Sequence, residues 1–217
     1  MKLSKVLAVV AVLSLAAVTP ALATGSYVGA GFAVVDDAYN GTLASMGSST
    51  VSVPAGEPDG DIVSDVNVDI GLSSTWVGDL TIKLDGPGGL TTLSSRPGFL
   101  EPADDGSGCC GFSSDAIGSI IFDDSAGTSG EALGGAGTPI PVGSSFFPDG
   151  GILGPQSLNG DHGGLSAVGD WTLYIGDGAG ADFASVSSWS LNLTTVPEPA
   201  SLALLGIGAM VMIRRRR

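Results

Sequence analysis

From Asp65 to Leu72 every second residue is apolar: Val66, Val68, Ile70 and Leu72 alternate with Asp65, Asn67, Asp69 and Gly71. A period of two places the two sets on opposite faces of an extended strand, one face buried and the other wet. Leu80, Ile82 and Leu84 repeat the pattern against Thr81, Lys83 and Asp85, and Gly86-Pro87-Gly88-Gly89 then turns the chain into Thr91-Thr92-Leu93. Near the end of the chain Trp171, Leu173 and Ile175 alternate with Thr172 and Tyr174, and Trp189, Leu191 and Leu193 with Ser190 and Asn192. These last two segments read as antiparallel partners. The more continuous apolar run from Ile117 to Phe122 suits a strand covered on both sides. Phe32 to Val35 and Thr50 to Val53 are weaker strand signals, and the Gly- and Pro-rich stretch from Gly127 to Asp161 reads mostly as long loop. Long amphipathic helices are absent. The total, seven to nine strands with antiparallel patterning, predicts an all-β antiparallel sandwich.

Both ends depart from this pattern. Lys2 and Lys5, the apolar run Val6 to Val18, and Ala21-Leu22-Ala23 follow the order of a secretory signal peptide, with cleavage expected after Ala23 at an A-x-A site set by Ala21 and Ala23. The apolar run of 13 residues is short of the roughly 20 a membrane span needs. The other end reads Pro197-Glu198-Pro199, then an apolar run of 14 residues from Ala200 to Ile213, then Arg214, Arg215, Arg216 and Arg217. The prolines cannot continue a strand or helix, so they mark an exposed linker. The arginines hold the end on the cytoplasmic side, and the short apolar run fits a transient transmembrane anchor.

That C-terminal pattern resembles the PEP-CTERM sorting signal of Gram-negative bacteria. The resemblance implies processing by a membrane enzyme of the exosortase type, removal of the tail, and display on the cell surface, in the envelope or in an exopolysaccharide matrix. The expected organisation is therefore a signal peptide over 1–23, one domain over 24–195 and a sorting signal over 196–217, with signal peptidase and an exosortase as processing partners.

Charge limits what the domain can bind. Between Thr24 and Val196 the basic residues are Lys83 and Arg96, against 21 of the chain's 22 acidic residues, a formal net charge of −19. Phosphate backbones are bound through clustered Lys and Arg, so nucleic acid is excluded as a partner. So much like charge repels itself unless cations screen or bind it. The cysteines, Cys109 and Cys110, are adjacent and build no disulfide framework; a vicinal ring and intermolecular pairing are open to them, and an ordinary loop pair is the favoured reading.

The ordered segments also resemble a known family. Val66-Asn67-Val68, Gly78-Asp79-Leu80-Thr81-Ile82-Lys83-Leu84 and Gly86-Pro87-Gly88-Gly89 look like the first half of the P domain (P/Homo B) of proprotein convertases. Ile121-Phe122-Asp123-Asp124-Ser125-Ala126, Gly169-Asp170-Trp171-Thr172-Leu173, Asp177 to Asp182 and Ser188-Trp189-Ser190-Leu191 look like its second half. The resemblance covers roughly residues 27 to 195, with an insertion-like departure from Glu101 to Cys110. It implies a jelly-roll β-sandwich of the kind that accompanies a subtilisin-like protease domain, for which no segment is expected between the signal and the first strand.

Catalytic chemistry is weakly represented. Nucleophilic catalysis needs a base beside the nucleophile, and His162, the single histidine, sits in Asn159-Gly160-Asp161-His162-Gly163-Gly164 without a G-x-S-x-G context; it reads as a surface loop residue. Gly176-Asp177-Gly178-Ala179-Gly180 leads into a strand rather than a helix, so it lacks the amide row that holds a dinucleotide. Calcium is the more fitting ligand, since it takes six to eight oxygens from carboxylates and loop carbonyls. The turn Asp177 to Asp182 and the pair Asp123 and Asp124 are the expected ligands, and the family resemblance adds Asp79. Trp171 and Trp189 read as core, and Trp76 as a candidate exposed contact. The chain is thus expected to be an exported, non-catalytic binding or structural module. The alternatives are an accessory acting in trans on a separate subtilisin-like protease, and a carbohydrate-binding module for exopolysaccharide.

Overall fold

The alternating segments are strands. In the computed structural model, which describes residues 22–55, 62–108 and 110–196, nine strands form in chain order: β1 (Ala23–Ala33), β2 (Gly47–Val53), β3 (Ile62–Ser74), β4 (Leu80–Gly86), β5 (Gly89–Ser95), β6 (Ala116–Asp123), β7 (Ser144–Phe146), β8 (Gly169–Asp177) and β9 (Ala184–Val196), with one short helix, α1 (Leu158–His162), before β8. They make a five-stranded sheet of order β1-β9-β3-β6-β7 and a four-stranded sheet of order β2-β8-β4-β5. Neighbours pair antiparallel except β6 with β7. This is an all-β sandwich. Its core joins Val66, Val68, Ile70 and Leu72 of β3 to Leu80, Ile82 and Leu84 of β4, Trp171, Leu173 and Ile175 of β8, and Trp189, Leu191 and Leu193 of β9 in one buried cluster. Each such aliphatic side chain contributes about 1.5–3 kcal/mol when removed from water.

Three sequence expectations change. The segments around Trp171 and Trp189 are not partners: β8 lies between β2 and β4 in one sheet, and β9 between β1 and β3 in the other. Alternation fixes which side chains point inward but not which sheet a strand joins. The run from Ile117 to Phe122 is not covered on both faces, since Ile117 is 65% exposed while Ile120 and Phe122 are buried; β6 has only three-residue β7 on its far side. Conversely β4 has no wet face over Leu80 to Leu84, where Thr81 and Lys83 are buried with the apolar residues, because the chain between Pro97 and Phe112 folds over that side of the sheet. The stretch from Gly127 to Asp161 is mainly loop, as expected, but carries β7 and most of α1.

The two ends of the sandwich differ. Ala23 pairs with Thr195, and Ile62 with Val196, so β1, β3 and β9 bring the start of the domain and the approach to the C-terminal tail to one end. Asp123 lies toward that end, opposite Asn67. Ser74, Ala184, Asp79 and Asp177 lie at the other end. The thirteen residues of β9 separate the two by about 40 Å. Among the described residues no helix is long and apolar enough to cross a membrane. The signal peptide before Leu22, with Ala21, and the sorting residues Pro197, Glu198, Pro199 and Arg214 to Arg217 lie outside the described residues. Cys110 is disulfide-bonded, which corrects the reading of an ordinary loop pair; Cys109 lies outside the described residues.

Candidate functional site

The end remote from the tail gathers charge from three loops. After β1, Asp36 accepts from the backbone N–H groups of Ala181 (3.2 Å) and Asp182 (3.5 Å). After β8, the Asp177 carboxylate accepts from Ala179 N–H at 3.1 Å, closing a local Asx turn. Asp182 accepts from the Thr75 hydroxyl at 3.3 Å. Asp79 ends a 3-10 turn over Val77–Asp79, and its carbonyl takes the Gly178 N–H at 3.0 Å. Asp79 and Asp177 are each only 1% exposed, and Asp79 Oδ1 is enclosed without a hydrogen-bond donor. Burial raises the Asp79 carboxyl to about 6, the Asp182 charge adding and Arg96 opposing. Burial also raises Asp177 to about 7, with Asp79, Asp36 and Asp182 adding to it against the Ala179 hydrogen bond. Each shift arises because a carboxylate charge is taken out of water beside others of its sign.

A second cluster adjoins the first. Arg96, fully buried and left-handed at φ 51°, donates both terminal nitrogens to the carbonyls of Ser107 and Gly108 at 2.5 Å each. Lys83 donates to Asp104 Oδ2 and to the Tyr39 hydroxyl, whose own proton goes to Asp104 Oδ1. Both cations of the domain thus hold the same segment, the insertion-like stretch from Glu101 to Cys110. Beside it the Ser95 hydroxyl donates to Glu101 and the Ser95 N–H to Glu131 Oε1 at 2.8 Å. Burial raises the Glu101 carboxyl against the Ser95 hydrogen bond, and raises Glu131 to about 8 against the Ser95 N–H.

The expected ligand set therefore divides. Asp79, Asp177 and Asp182 come together, joined by Asp36, which sequence reasoning missed because the signal is a loop crossing from β1. Asp123 and Asp124 lie at the other end. Asp123 accepts from Ser125 N–H at 2.7 Å, and Asp124 takes Ser157 Oγ and the N–H groups of Leu158 and Asn159 at 2.7–2.9 Å, the role of an anion at a helix start. Among the described residues no group of three or more His, Cys, Asp or Glu side chains is arranged to hold a metal ion.

His162 is not on the surface: it is fully buried, its ring 4.7 Å from that of Trp171. Gly88 N–H donates to Nδ1 at 3.1 Å, so the neutral ring carries its proton on Nε2, 3.2 Å from Thr91 Oγ1, and the Thr91 hydroxyl proton goes to Asp161 Oδ2 at 2.6 Å. Burial pushes the imidazole pKa down against the pull of Asp161, Asp85 and Asp124. A base that activates a hydroxyl must accept its proton; here the ring gives one. Trp171 and Trp189 are core, and Trp76 is half-buried with Nε1 enclosed and unpartnered. A hollow of about 540 Å³ lined by Ala132, Ile140, Pro141 and Phe146, among others, includes no ionisable side chain.

These features define an all-β sandwich whose last strand runs directly into a C-terminal sorting signal. Residues 195–217 match the family model of the PEP-CTERM protein-sorting motif, which indicates exosortase-dependent export to the cell surface. No curated protein matches the chain. Among solved structures, it is similar to the serine protease of Aeromonas sobria in complex with the chaperone ORF2, at 16% identity and TM-score 0.44, over 82% of this chain and 28% of that one. It is also similar to the serine protease of Aeromonas sobria, at 15% identity and TM-score 0.42, over 84% and 28%. The chain spans about a quarter of the length of those chains, and at these scores the likeness carries no argument about activity.

Proposed function

We propose that this chain is a non-catalytic binding or structural module of the jelly-roll, P-domain type, displayed on the surface or in the extracellular matrix of a Gram-negative bacterium. Signal peptidase cleaves after Ala23, and an exosortase acts at Pro197-Glu198-Pro199. The observation that carries this reading is the sorting motif beginning at Thr195, inside the last two residues of β9. The core is complete where the tail begins, so the tail can be removed without unpicking a strand.

The proposal includes calcium at the remote end only. Asp79, Asp177, Asp182 and Asp36 supply the hard oxygen donors that this ion takes, and the enclosed Asp79 Oδ1 lacks a donor. The carboxylates are not drawn into a ligand shell among the described residues, so binding pulls the loop from Asp177 to Asp182 toward Asp79.

Antibody labelling of intact cells tests display. The parent chain is expected at the surface, and a Pro197→Ala/Pro199→Ala variant is expected to remain in the inner membrane with its tail attached. Equal surface labelling of both would overturn the reading.

A further inference from the structure

We propose that Lys83 and Asp104 join covalently in the folded protein: the lysine amine condenses with the Asp104 carboxyl to form an isopeptide bond that locks the loop over β4. Lys83 is buried on the face of β4 turned away from the core, at the register position opposite Thr92 of β5 and Tyr174 of β8. Its Nζ lies 2.5 Å from Asp104 Oδ2, inside the span of about 2.7–2.9 Å usual for a charged pair. With a carbon–oxygen bond of about 1.2 Å, Nζ is within about 3.7 Å of the Asp104 carboxyl carbon, near the roughly 3–3.5 Å of reacting atoms poised to meet. The structure holds the pair before condensation.

Tyr39 completes the site. Nζ donates to the Tyr39 hydroxyl at 3.0 Å, and that hydroxyl donates to Asp104 Oδ1 at 2.5 Å. Burial first, then the hydrogen bond to Asp104 and its charge, raise the phenol pKa, so the hydroxyl keeps a proton to give. The Tyr39 N–H is fixed on the Asp177 carbonyl at 2.8 Å, and its ring lies against Gly176, where a Cβ would come within 2.8 Å of Cδ2. Arg96 holds the Asp104 loop through the carbonyls of Ser107 and Gly108. Amine, carboxyl and hydroxyl are therefore placed before reaction, and groups so placed react as if at very high concentration.

The step balances without a co-reactant. A charged pair out of water gains by becoming neutral, so one ammonium proton passes along the short contact to Oδ2 and leaves an amine nucleophile beside a carboxylic acid. Nζ attacks Cγ while the Tyr39 hydroxyl bonds Oδ1, where negative charge develops. A second proton leaves the nitrogen for the carboxyl oxygens by way of that hydroxyl, the bond from carbon to Oδ2 breaks, and Oδ2 departs as water with both protons. Ammonium and carboxylate thus become one amide, which keeps the third hydrogen on nitrogen, and one water. Net charge is unchanged, and the desolvation cost of two buried ions disappears. The bond forms in the folded domain whether or not the chain is sorted or binds calcium, so this inference goes beyond the reading of a displayed module and fails independently of it.

The full chain is purified in mild detergent, denatured with its disulfide reduced, and weighed by intact mass spectrometry. It is expected to fall one water short of its processed sequence, and a digest is expected to yield one branched peptide carrying Lys83 and Asp104. Hydroxylamine, which opens a succinimide at Asp105-Gly106, should leave the deficit in place. Lys83→Arg keeps the charge but has no amine nucleophile, and it should show its full mass, as should Asp104→Ala. Lys83→Arg is also the uncondensed reference against which the stability of other variants at this pair is read. Tyr39→Phe should slow bond formation by roughly a hundredfold in a time course after synthesis is stopped; should that variant not fold, the parent and Lys83→Arg masses decide alone. A parent of full mass, a water deficit that persists in Lys83→Arg, or a branch at any other residue overturns the proposal.

Discussion

Lys83 Nζ lies 2.5 Å from Asp104 Oδ2, an ion pair that ties the buried face of β4 to the loop covering it. The lysine is 4% exposed, and with the Tyr39 hydroxyl at 3.0 Å it has no water to fall back on if the carboxylate is lost. Removing one partner of a buried pair leaves an uncompensated charge, whereas replacing both by apolar groups is often neutral. Asp104→Ala is therefore expected to lower stability by about 3 kcal/mol, and Lys83→Met/Asp104→Leu to recover most of it. Urea unfolding of the two variants checks this; a double variant no more stable than the single one would show that the pair is not the source.

The four raised carboxylates set a pH dependence. Asp79, Asp177 and Glu131 titrate at about 6, 7 and 8 in the folded protein, and Glu101 is raised as well, against about 4 unfolded. The folded state therefore holds more protons than the unfolded state between these values, and stability falls as pH rises through about 6 to 8. His162 works in the opposite sense: its lowered pKa keeps it neutral when folded, so stability falls as pH drops below its unfolded value near 6.5. Thermal melts in chelator should peak on the acid side of neutrality, and Asp177→Asn should flatten the alkaline fall. A profile level from pH 6 to 8 contradicts the burial of these groups.

Much of the sandwich was legible because burial on one face writes a period of two into β3, β8 and β9. β1 and β2 were faint, since Gly25, Gly29, Gly31 and the serines of Gly47-Ser48-Ser49 interrupt their patterns. What local pattern could not supply was contact between distant segments. Lys83 occupies a polar position of its alternation, yet it is buried by a loop that begins 14 residues later. His162 is enclosed by Gly88 and Thr91, more than seventy residues before it. The remote acidic cluster was half visible: Asp177 and Asp182 could be named from their turn and Asp79 only through the family resemblance, while Asp36 joins through backbone donors that no spacing announces. Asp123 and Asp124 have the same composition but are spent on a turn and a helix start.

Calcium and protons compete for the same carboxylates. If the ion binds Asp79, Asp177 and Asp182, it stabilises the folded state in proportion to the logarithm of its concentration, and more at pH 8 than at pH 5, where protons already neutralise the site. A calcium titration followed by melting is expected to show that difference, with the gain abolished by Asp177→Asn and kept by Asp124→Asn. Loss of the gain in Asp124→Asn instead would place the ion at the opposite end.

Gly88 is the position where the sandwich closes over its histidine. A Cβ there would run into the Asp161 carbonyl and lie 2.8 Å from His162 Nδ1, and the neighbour on one side is backbone, which cannot swing away. Gly88→Ala must therefore displace α1 or break the Gly88 N–H bond to the ring, leaving a buried nitrogen unpaired at about 1–3 kcal/mol. His162→Ala removes the same bond and opens a cavity beside Trp171, for about 3 kcal/mol in all. Both share the Gly88 N–H bond to the ring, but the clash with the Asp161 carbonyl survives loss of the ring, so the double variant should cost more than His162→Ala alone and less than the sum of the two. Denaturant midpoints of the two single variants and the double variant decide it: simple addition of the two losses would mean that Gly88 and His162 act independently, and the closure would have to be sought elsewhere.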